Sequence, residues 1–244
     1  MKDIKKNLRT GGICGLAGVA IFFGIAVLLE QFYWGKLPTD TVQDYLSVLG
    51  TPPHPRIVMG SHFLIGLGFL FFIVAFLSLV ELLEIEKTRF LARTGGLLGI
   101  IACPIMVIEM IVQGTVMVNL GRLYVTASGE TERQSLIVLY RGLRNIDLGI
   151  DLAFDFFFFS AWILLGFAML KSRYFGKVFG ITGVVLFGVA AVLNVGAAPQ
   201  PPSFETAPIA CLWILAVYVQ LLRQGRSSII LSSRENPSWP GAVS

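Results

Sequence analysis

Three aspartates in the second half of the chain have a spacing that could do chemistry. Asp147, Asp151 and Asp155 follow one another at intervals of four residues, so an α-helix would carry them as a single stripe. At about 1.5 Å of rise per residue, the stripe covers about 12 Å. Neighbouring carboxylates repel one another where water is scarce, so such a stripe can bind a proton or a cation.

Other polar residues lie at a similar depth in separate apolar stretches. Counted from the basic residue that flanks each stretch, Asp155, Glu109 and Asn194 lie at nearly equal separations along the chain. In a helix these separations correspond to about 24–26 Å, within an apolar membrane core of about 30 Å. Gln113 lies one turn beyond Glu109, and His62 lies near the outer end of its own stretch. We therefore expect these residues to lie close to one outer surface.

The functional interpretation is a small outward-opening cavity for a cation, a proton or a small polar ligand. Ionisable residues inside a membrane are costly, about 2.5–3.5 kcal/mol each on insertion scales, and they usually mark a functional site. The predicted cavity is lined by Glu109, Asp155 and Asn194, with Asp151, Gln113 and His62 above them.

A structural interpretation competes with it. Arg144 precedes Asp147 by three residues and Asp151 by seven, and Arg141 lies one turn before Arg144. These arginines could form a ladder of ion pairs with the two aspartates where the helix leaves the membrane. The ladder accounts well for Asp147 and Asp151, whereas Glu109 and Asp155 lie deeper and favour the functional interpretation.

Several kinds of chemistry have little support. The chain has two histidines and three cysteines, and neither set has the spacing of a haem, zinc or redox motif. It has neither a lysine in the middle of an apolar stretch nor a phosphate-binding Gly-x-x-x-x-Gly-Lys loop. A serine, His62 and Asp155 could in principle form a triad, but no nucleophile-elbow motif supports it. The sequence identifies no cofactor and leaves a metal undetermined.

The composition indicates the elements that must position these residues. Hydrophobic residues make up 55% of the chain and charged residues 14%, with a mean hydropathy of +0.76. A soluble domain usually has about 25% charged residues, so we expect much of this surface to face lipid. The sequence predicts an all-α, polytopic membrane protein with a lipid bilayer as its environment.

Six apolar segments are long enough for a spanning helix, which needs about 20 residues. They form a predicted transmembrane domain over 1–224, followed by a flexible cytoplasmic tail over 225–244. The first segment is too long for the apolar part of a signal peptide, about 7–15 residues, so we interpret it as a retained helix. The six segments are 11–33, 61–84, 95–120, 148–170, 176–197 and 206–223.

Lysine and arginine are distributed unequally between the two sides. Thirteen lie on the side that carries both termini and six on the other, which predicts that both termini are cytoplasmic in the plasma membrane. The net charge of +4 is then a topology signal, and no nucleic-acid partner is expected. The thirteen are Lys2, Lys5, Lys6, Arg9, Lys87, Arg89, Arg93, Lys171, Arg173, Lys177, Arg223, Arg226 and Arg234.

The segments between the spans have turn signals. Thr39-Asp40 predicts a cap for a short amphipathic helix that ends at Gly50, and prolines predict irregular structure over 51–55. A polar loop is expected over 121–132, the fourth helix is expected to begin outside the membrane at about Glu132, and 199–202 forms a proline-rich turn.

An internal repeat places glycines at equally spaced positions. Gly12, Gly96 and Gly180 align, each near a basic residue at the start of an odd-numbered span. The repeat predicts three helix hairpins in parallel orientation, with a site at their interface. Glycines four positions apart, such as Gly11 and Gly15, also predict close helix packing. Because 26 of the 244 residues are glycine, coincidence is the alternative.

One region resembles a known family. The stretch Ile150-Asp151-Leu152-Ala153-Phe154-Asp155, the segment 175–180, Pro201-Pro202 and Leu212-Trp213 are similar to uncharacterised six-span prokaryotic membrane proteins grouped under a domain of unknown function. The resemblance implies a six-helix fold and no established activity.

Three functions are compatible with these patterns. The leading one is a small transport or ligand-binding protein that uses Glu109 and Asp155, with Asn194 and Gln113 as neutral partners. The second is a non-catalytic subunit or assembly factor of a membrane complex, with another protein or a second copy as its partner. The third is an enzyme acting on a lipid head group, which requires His62 near a nucleophile or a metal.

Overall fold

Every regular element in the described part of the chain is helical. The computed structural model describes residues 2–33, 37–38, 40–84, 88–197 and 207–226. Its eight α-helices are α1 (Lys2–Phe32), α2 (Val42–Gly50), α3 (His54–Glu84), α4 (Arg89–Ile111), α5 (Val118–Thr126), α6 (Glu130–Leu170), α7 (Gly176–Ala197) and α8 (Ala207–Arg226). A π-helical turn, Val112–Met117, joins α4 to α5 without a break.

Six helices in the described residues are long and apolar enough to cross a membrane. They are α1, α3, the continuous α4–π–α5 unit, α6, α7 and α8, so the chain has the architecture of a multi-pass membrane protein. The crossing helices extend beyond the predicted apolar segments. For example, α1 begins at Lys2 and α6 at Glu130, because polar residues at the end of an apolar run continue a helix readily.

Local predictions between the spans need correction. The polar loop predicted over 121–132 is wrong, since α5 continues to Thr126 and only 127–129 separates it from α6. The cap of α2 is Thr41, one residue after the predicted pair, and its hydroxyl accepts a 3.1 Å hydrogen bond from the Asp44 N–H. The irregular segment is shorter than predicted because α3 begins at His54, and Pro55 is tolerated in a first helical turn.

The crossing helices form a bundle in which neighbours in sequence are neighbours in space. α1 packs on α3, α3 on α4, α4 on α6 and α6 on α7, while α8 packs on α1. The ring of Trp213 on α8 lies 5.5 Å from that of Phe187 on α7. The bundle therefore closes on itself around a shared interior.

Aromatic rings fill the middle of the bundle. Trp162 on α6 is fully buried, and its ring lies 5.2 Å from Phe76 on α3, 5.4 Å from Trp213 and 6.1 Å from Tyr218 on α8, centroid to centroid. These offset and edge-on contacts are favourable aromatic geometries. They fix three helices, α3, α6 and α8, against one another.

Glycines allow the helices to approach closely at one end. A Cβ on Gly12 would lie 2.9 Å from Leu222 on α8, one on Gly96 would lie 2.1 Å from Val80 on α3, and one on Gly180 would lie 2.6 Å from Leu170 on α6. A side chain at any of these positions would push two helices apart. The contacts agree with the predicted packing role of the glycines.

A second, smaller core lies at the other end of the bundle. It is formed by α2, α5, the start of α3 and the first turns of α6, and it caps the bundle next to the polar residues described below. Its fully or nearly fully buried members are Leu46, Leu49, Val58, Met117, Val118, Leu120 and Ile137.

Some predictions concern residues outside the described part of the chain. The proline-rich turn over 199–202 lies there entirely. The tail predicted from 225 lies there from 227 onward, whereas Gly225 and Arg226 belong to α8.

Candidate functional site

Gln113 occupies the π-helical turn that joins α4 to α5. Such turns insert one residue into a helix, change the direction of the side chains that follow, and are frequent at functional sites. The next residue, Gly114, lets α3 approach: a Cβ on Gly114 would lie 3.0 Å from the Cβ of His62. The turn and the glycine together bring Gln113 against His62.

The side-chain amide of Gln113 connects three helices. Its Oε1 lies 3.0 Å from Nε2 of His62 on α3. Its Nε2 donates to Oε1 of Glu109 on α4, at 2.9 Å, and to both carboxylate oxygens of Asp147 on α6, at 3.3 and 3.2 Å. Three of the predicted site residues, His62, Gln113 and Glu109, therefore form one hydrogen-bonded group.

Asp147 completes this group, although the sequence favoured structural pairing for it. Its residue surface is 0% exposed, and Arg144, three residues earlier on α6, donates to its carboxylate and forms an ion pair with it. The Arg144 side chain is 46% exposed, so it links the buried carboxylate to the surface. The i, i+3 spacing signalled the ion pair, but the sequence held no signal for the contact with Gln113.

Glu109 is the most deeply buried carboxyl of the predicted site residues. It is 4% exposed, and its Oε2 has no hydrogen-bond partner among the described residues. Asp151, Asp147 and Asp155 lie within electrostatic range of it, as does Arg144. In the part of the chain that the structure describes, carboxyl groups thus outnumber cations around Glu109, which leaves an excess of negative charge in a largely apolar setting.

Asp155 and Asn194 form a separate pair between α6 and α7. Nδ2 of Asn194 donates to Oδ2 of Asp155 at 3.1 Å, and Asp155 is 9% exposed. The Oδ1 atom of Asn194 is buried without a hydrogen-bond partner in the described part of the chain. The two residues predicted together with Glu109 are therefore hydrogen-bonded to each other.

The helix ends explain why Glu109 lies level with Asp151. The rise of an α-helix places Glu109 about 30 Å from Arg89, the first residue of α4. It places Asp151 about 28 Å, and Asp155 only about 22 Å, from Leu170, the last residue of α6. Counting from the flanking basic residues instead places Asp155 level with Glu109. That count is misleading because the flanking lysine and arginine do not lie at equivalent positions in the two helices.

The side chains that meet around Gln113 suit proton binding better than metal binding or nucleophilic catalysis. No three His, Cys, Asp or Glu side chains within the described ranges converge as metal ligands would. Ser61 lies beside His62, with 3.4 Å between its Oγ and Nδ1, but its hydroxyl donates to the carbonyl of Val58. What converges is an amide, an imidazole and two carboxyl groups, which can hold and exchange a proton.

Comparisons with family models, curated proteins and solved structures give no match for this chain. The resemblance to uncharacterised six-span membrane proteins stays a prediction. The chemistry of the chain must accordingly be inferred from its own side chains: a six-span helical protein with a buried acidic group centred on Gln113.

Proposed function

We propose that this membrane protein binds a proton at Glu109, reached from the outer side, as the loading step of a proton-coupled transport or ligand-binding cycle. The observation that supports this most directly is the Oε2 atom of Glu109, which is buried and lacks a hydrogen-bond partner among the described residues. A buried carboxylate is normally stabilised by several donors or by a cation. Within the described ranges, the donor to Glu109 is Gln113, through the other oxygen.

The charges around Glu109 support a proton in particular. Asp151, Asp147 and Asp155 carry the same sign as an ionised Glu109, and Arg144 is already paired with Asp147. A proton on Glu109 removes the repulsion, and the neutral carboxyl can still accept from Gln113 through Oε1. A change in the charge of Glu109 therefore changes its electrostatic interaction with the aspartates of α6.

Infrared spectroscopy of the protein in lipid tests this proposal. A protonated carboxyl gives a C=O stretching band that a carboxylate lacks, so we expect a band that appears as the pH falls and is absent from Glu109→Gln. The matched control is Glu81→Gln, on α3 at the opposite end of the bundle, where Glu81 accepts from Asn7. The control should keep the band.

Two outcomes would contradict the proposal. One is the lack of any carboxyl band that depends on Glu109 across the pH range in which the protein stays folded. The other is a Glu109-dependent stabilisation by sodium or calcium chloride at constant ionic strength, which would assign the site to a metal cation.

We further propose that both termini face the cytoplasm of the cell and that the Gln113 group opens toward the outside. The unequal distribution of lysine and arginine supports this orientation. The end of the bundle that carries Gly12, Gly96 and Gly180 is the basic end, and the small outer core of α2, α5 and α6 lies at the other.

Helix contacts also support the three-hairpin repeat, which we retain as a proposal. The hairpins would be α1 with α3, α4 with α6, and α7 with α8. Gly12, Gly96 and Gly180 would each face the second helix of the preceding hairpin, namely α8, α3 and α6. If the three glycines were aligned only by chance, they would not be expected to contact equivalent helices in the bundle.

A further inference from the structure

The first ring nitrogen of His62 faces an atom that can only accept a hydrogen bond. Nδ1 lies 2.8 Å from the backbone carbonyl oxygen of Val58, one turn earlier on α3. The neighbouring Ser61 hydroxyl donates to the same oxygen, at 2.9 Å. A carbonyl oxygen has no hydrogen to give, so Nδ1 must carry one.

The second ring nitrogen also faces an acceptor. Nε2 of His62 lies 3.0 Å from Oε1 of Gln113, while the amide nitrogen of Gln113 is directed to Glu109 and Asp147. Because an amide oxygen only accepts, Nε2 must carry a hydrogen too. In this orientation of the Gln113 amide both ring nitrogens carry hydrogens, which would make His62 an imidazolium ion next to an acidic group.

The reversed orientation of the amide leads to a related requirement. Turning Gln113 by half a turn would direct its NH2 group to a neutral His62, but its oxygen would then face the carboxyl groups of Glu109 and Asp147. Asp147 is ion-paired with Arg144 and stays an acceptor. The contact with Glu109 is favourable only if Glu109 carries a proton and donates it to the amide oxygen.

We propose that His62 is a second proton-binding group of this site, and that Gln113 prevents His62 and Glu109 from lacking a proton at the same time. The proposal rests on the function proposed for Glu109 and specifies its regulation. If both groups lack a proton, either orientation of the amide places two acceptors against each other, which disfavours that state because a buried polar group is left unsatisfied. Protonation of Glu109 thereby makes the release of the His62 proton less unfavourable, while the reversed amide still loses its hydrogen bonds to Asp147.

Charged residues on three other helices lie near His62 or near the residues that contact it. α4 contributes Glu109, while α6 contributes Asp151 and the Arg144–Asp147 pair. On α5, Arg122 reaches Met59, three residues before His62. The side chain of Glu30 on α1 lies outside the described residues.

Nuclear magnetic resonance of the full chain, labelled with ¹⁵N in its histidines, tests the proposal directly. The chain has two histidines, His54 and His62, so His54→Gln leaves His62 as the single reporter. At a pH where the Glu109 carboxyl band is absent, we expect both ring nitrogens of His62 to give imidazolium signals. Adding Gln113→Leu should remove these signals and leave a neutral ring with its hydrogen on Nδ1.

A second variant covers the possibility that Gln113→Leu does not fold. Glu109→Gln, also in the His54→Gln background, offers Gln113 an amide donor, so Gln113 can turn its own NH2 group to a neutral His62. We expect the imidazolium signals to fall several-fold. A neutral His62 in the parent His54→Gln protein at a pH where the Glu109 carboxyl band is absent, or an imidazolium that is unchanged in both variants, would overturn the proposal.

The two proposals can fail separately. A Glu109-dependent infrared band, together with a His62 that is neutral at a pH where that band is absent, leaves the proton site at Glu109 standing and overturns the role of His62. An imidazolium that depends on Gln113, without any Glu109-dependent carboxyl band, keeps the coupling to His62 and overturns the function proposed for Glu109.

Discussion

Asp147 shows how one buried side chain can serve both a structural pair and a functional group. Its carboxylate accepts from Arg144 on the outer side and from Gln113 on the inner side. A charge in this position is stable only while its partners are in place, because a buried charge without a partner is strongly unfavourable. The ion pair therefore also fixes the carboxylate that orients the Gln113 amide.

Replacing Arg144 with methionine should destabilise the protein. The variant keeps an apolar stem but leaves Asp147 without its cation, and we expect a loss of about 1–3 kcal/mol, moderated by the solvent around a half-exposed arginine. Arg141→Met, one turn earlier on the same helix and exposed, is the matched control and should change stability by less than about 0.5 kcal/mol. Thermal unfolding in detergent measures both, and equal shifts would show that the pair contributes nothing.

Burial of single residues was easier to predict than their partners. Glu109 and Asp155 were expected below the outer surface because they interrupt apolar stretches, and both are at least nine-tenths buried. The link between Gln113 and Asp147 joins residues that are far apart in the sequence and depends on how α4 and α6 are placed relative to each other. Sequence spacing holds no information about that placement.

At the scale of elements, α7 shows how glycine sets the distance between helices. A Cβ on Gly180 would lie 2.6 Å from the backbone nitrogen of Leu170 and 2.7 Å from the backbone oxygen of Gly166. Backbone atoms cannot rotate aside as the end of a side chain can. Close contacts of this kind contribute to helix association in membranes. The hydrophobic effect does not drive that association, because lipid tails are as apolar as the side chains that face them.

Gly180→Ala should therefore destabilise the bundle, by about 1–3 kcal/mol as for other overpacked cores. Gly188→Ala is the matched control, since it lies two turns further along the same helix with nothing within 4 Å of its added Cβ. We expect the control to be neutral or slightly stabilising, because alanine favours a helix more than glycine does. Thermal melts of both variants in the same detergent make the comparison, and a Gly180→Ala protein as stable as the control would argue against close packing of α6 and α7.

The helices themselves were largely predictable, and their junctions were not. All six crossing helices contain the apolar segments expected from the thickness of a bilayer, apart from residue 33 of the first segment and residue 206 of the last. The π-helical turn at Val112–Met117 was missed because no residue type marks such a turn. It packs against α3 and α6, and it is the element that presents Gln113.

At the scale of the whole molecule, the more basic end of the bundle lies opposite the end that carries the Gln113 group. The glycine-packed end of the bundle carries Arg93 with its partner Glu84, and Lys171 lies in the turn after α6. The other end carries the Gln113 group and the outer helical cap. Orientation in the membrane would therefore decide which compartment supplies the proton that we propose for Glu109 and His62.

Cysteine labelling in intact cells tests this orientation. Ser128 lies in the short segment between α5 and α6 at the proposed outer end, and Lys171 follows α6 at the proposed inner end; both are exposed. We expect a membrane-impermeant maleimide to label Ser128→Cys at least several-fold more than Lys171→Cys, and to label both equally once the cells are permeabilised. The unsubstituted chain is the control, because Cys103 and Cys211 are buried and Cys14 is partly buried. The reverse pattern would place the Gln113 group at the cytoplasmic face, and the proton that it binds would then come from inside the cell.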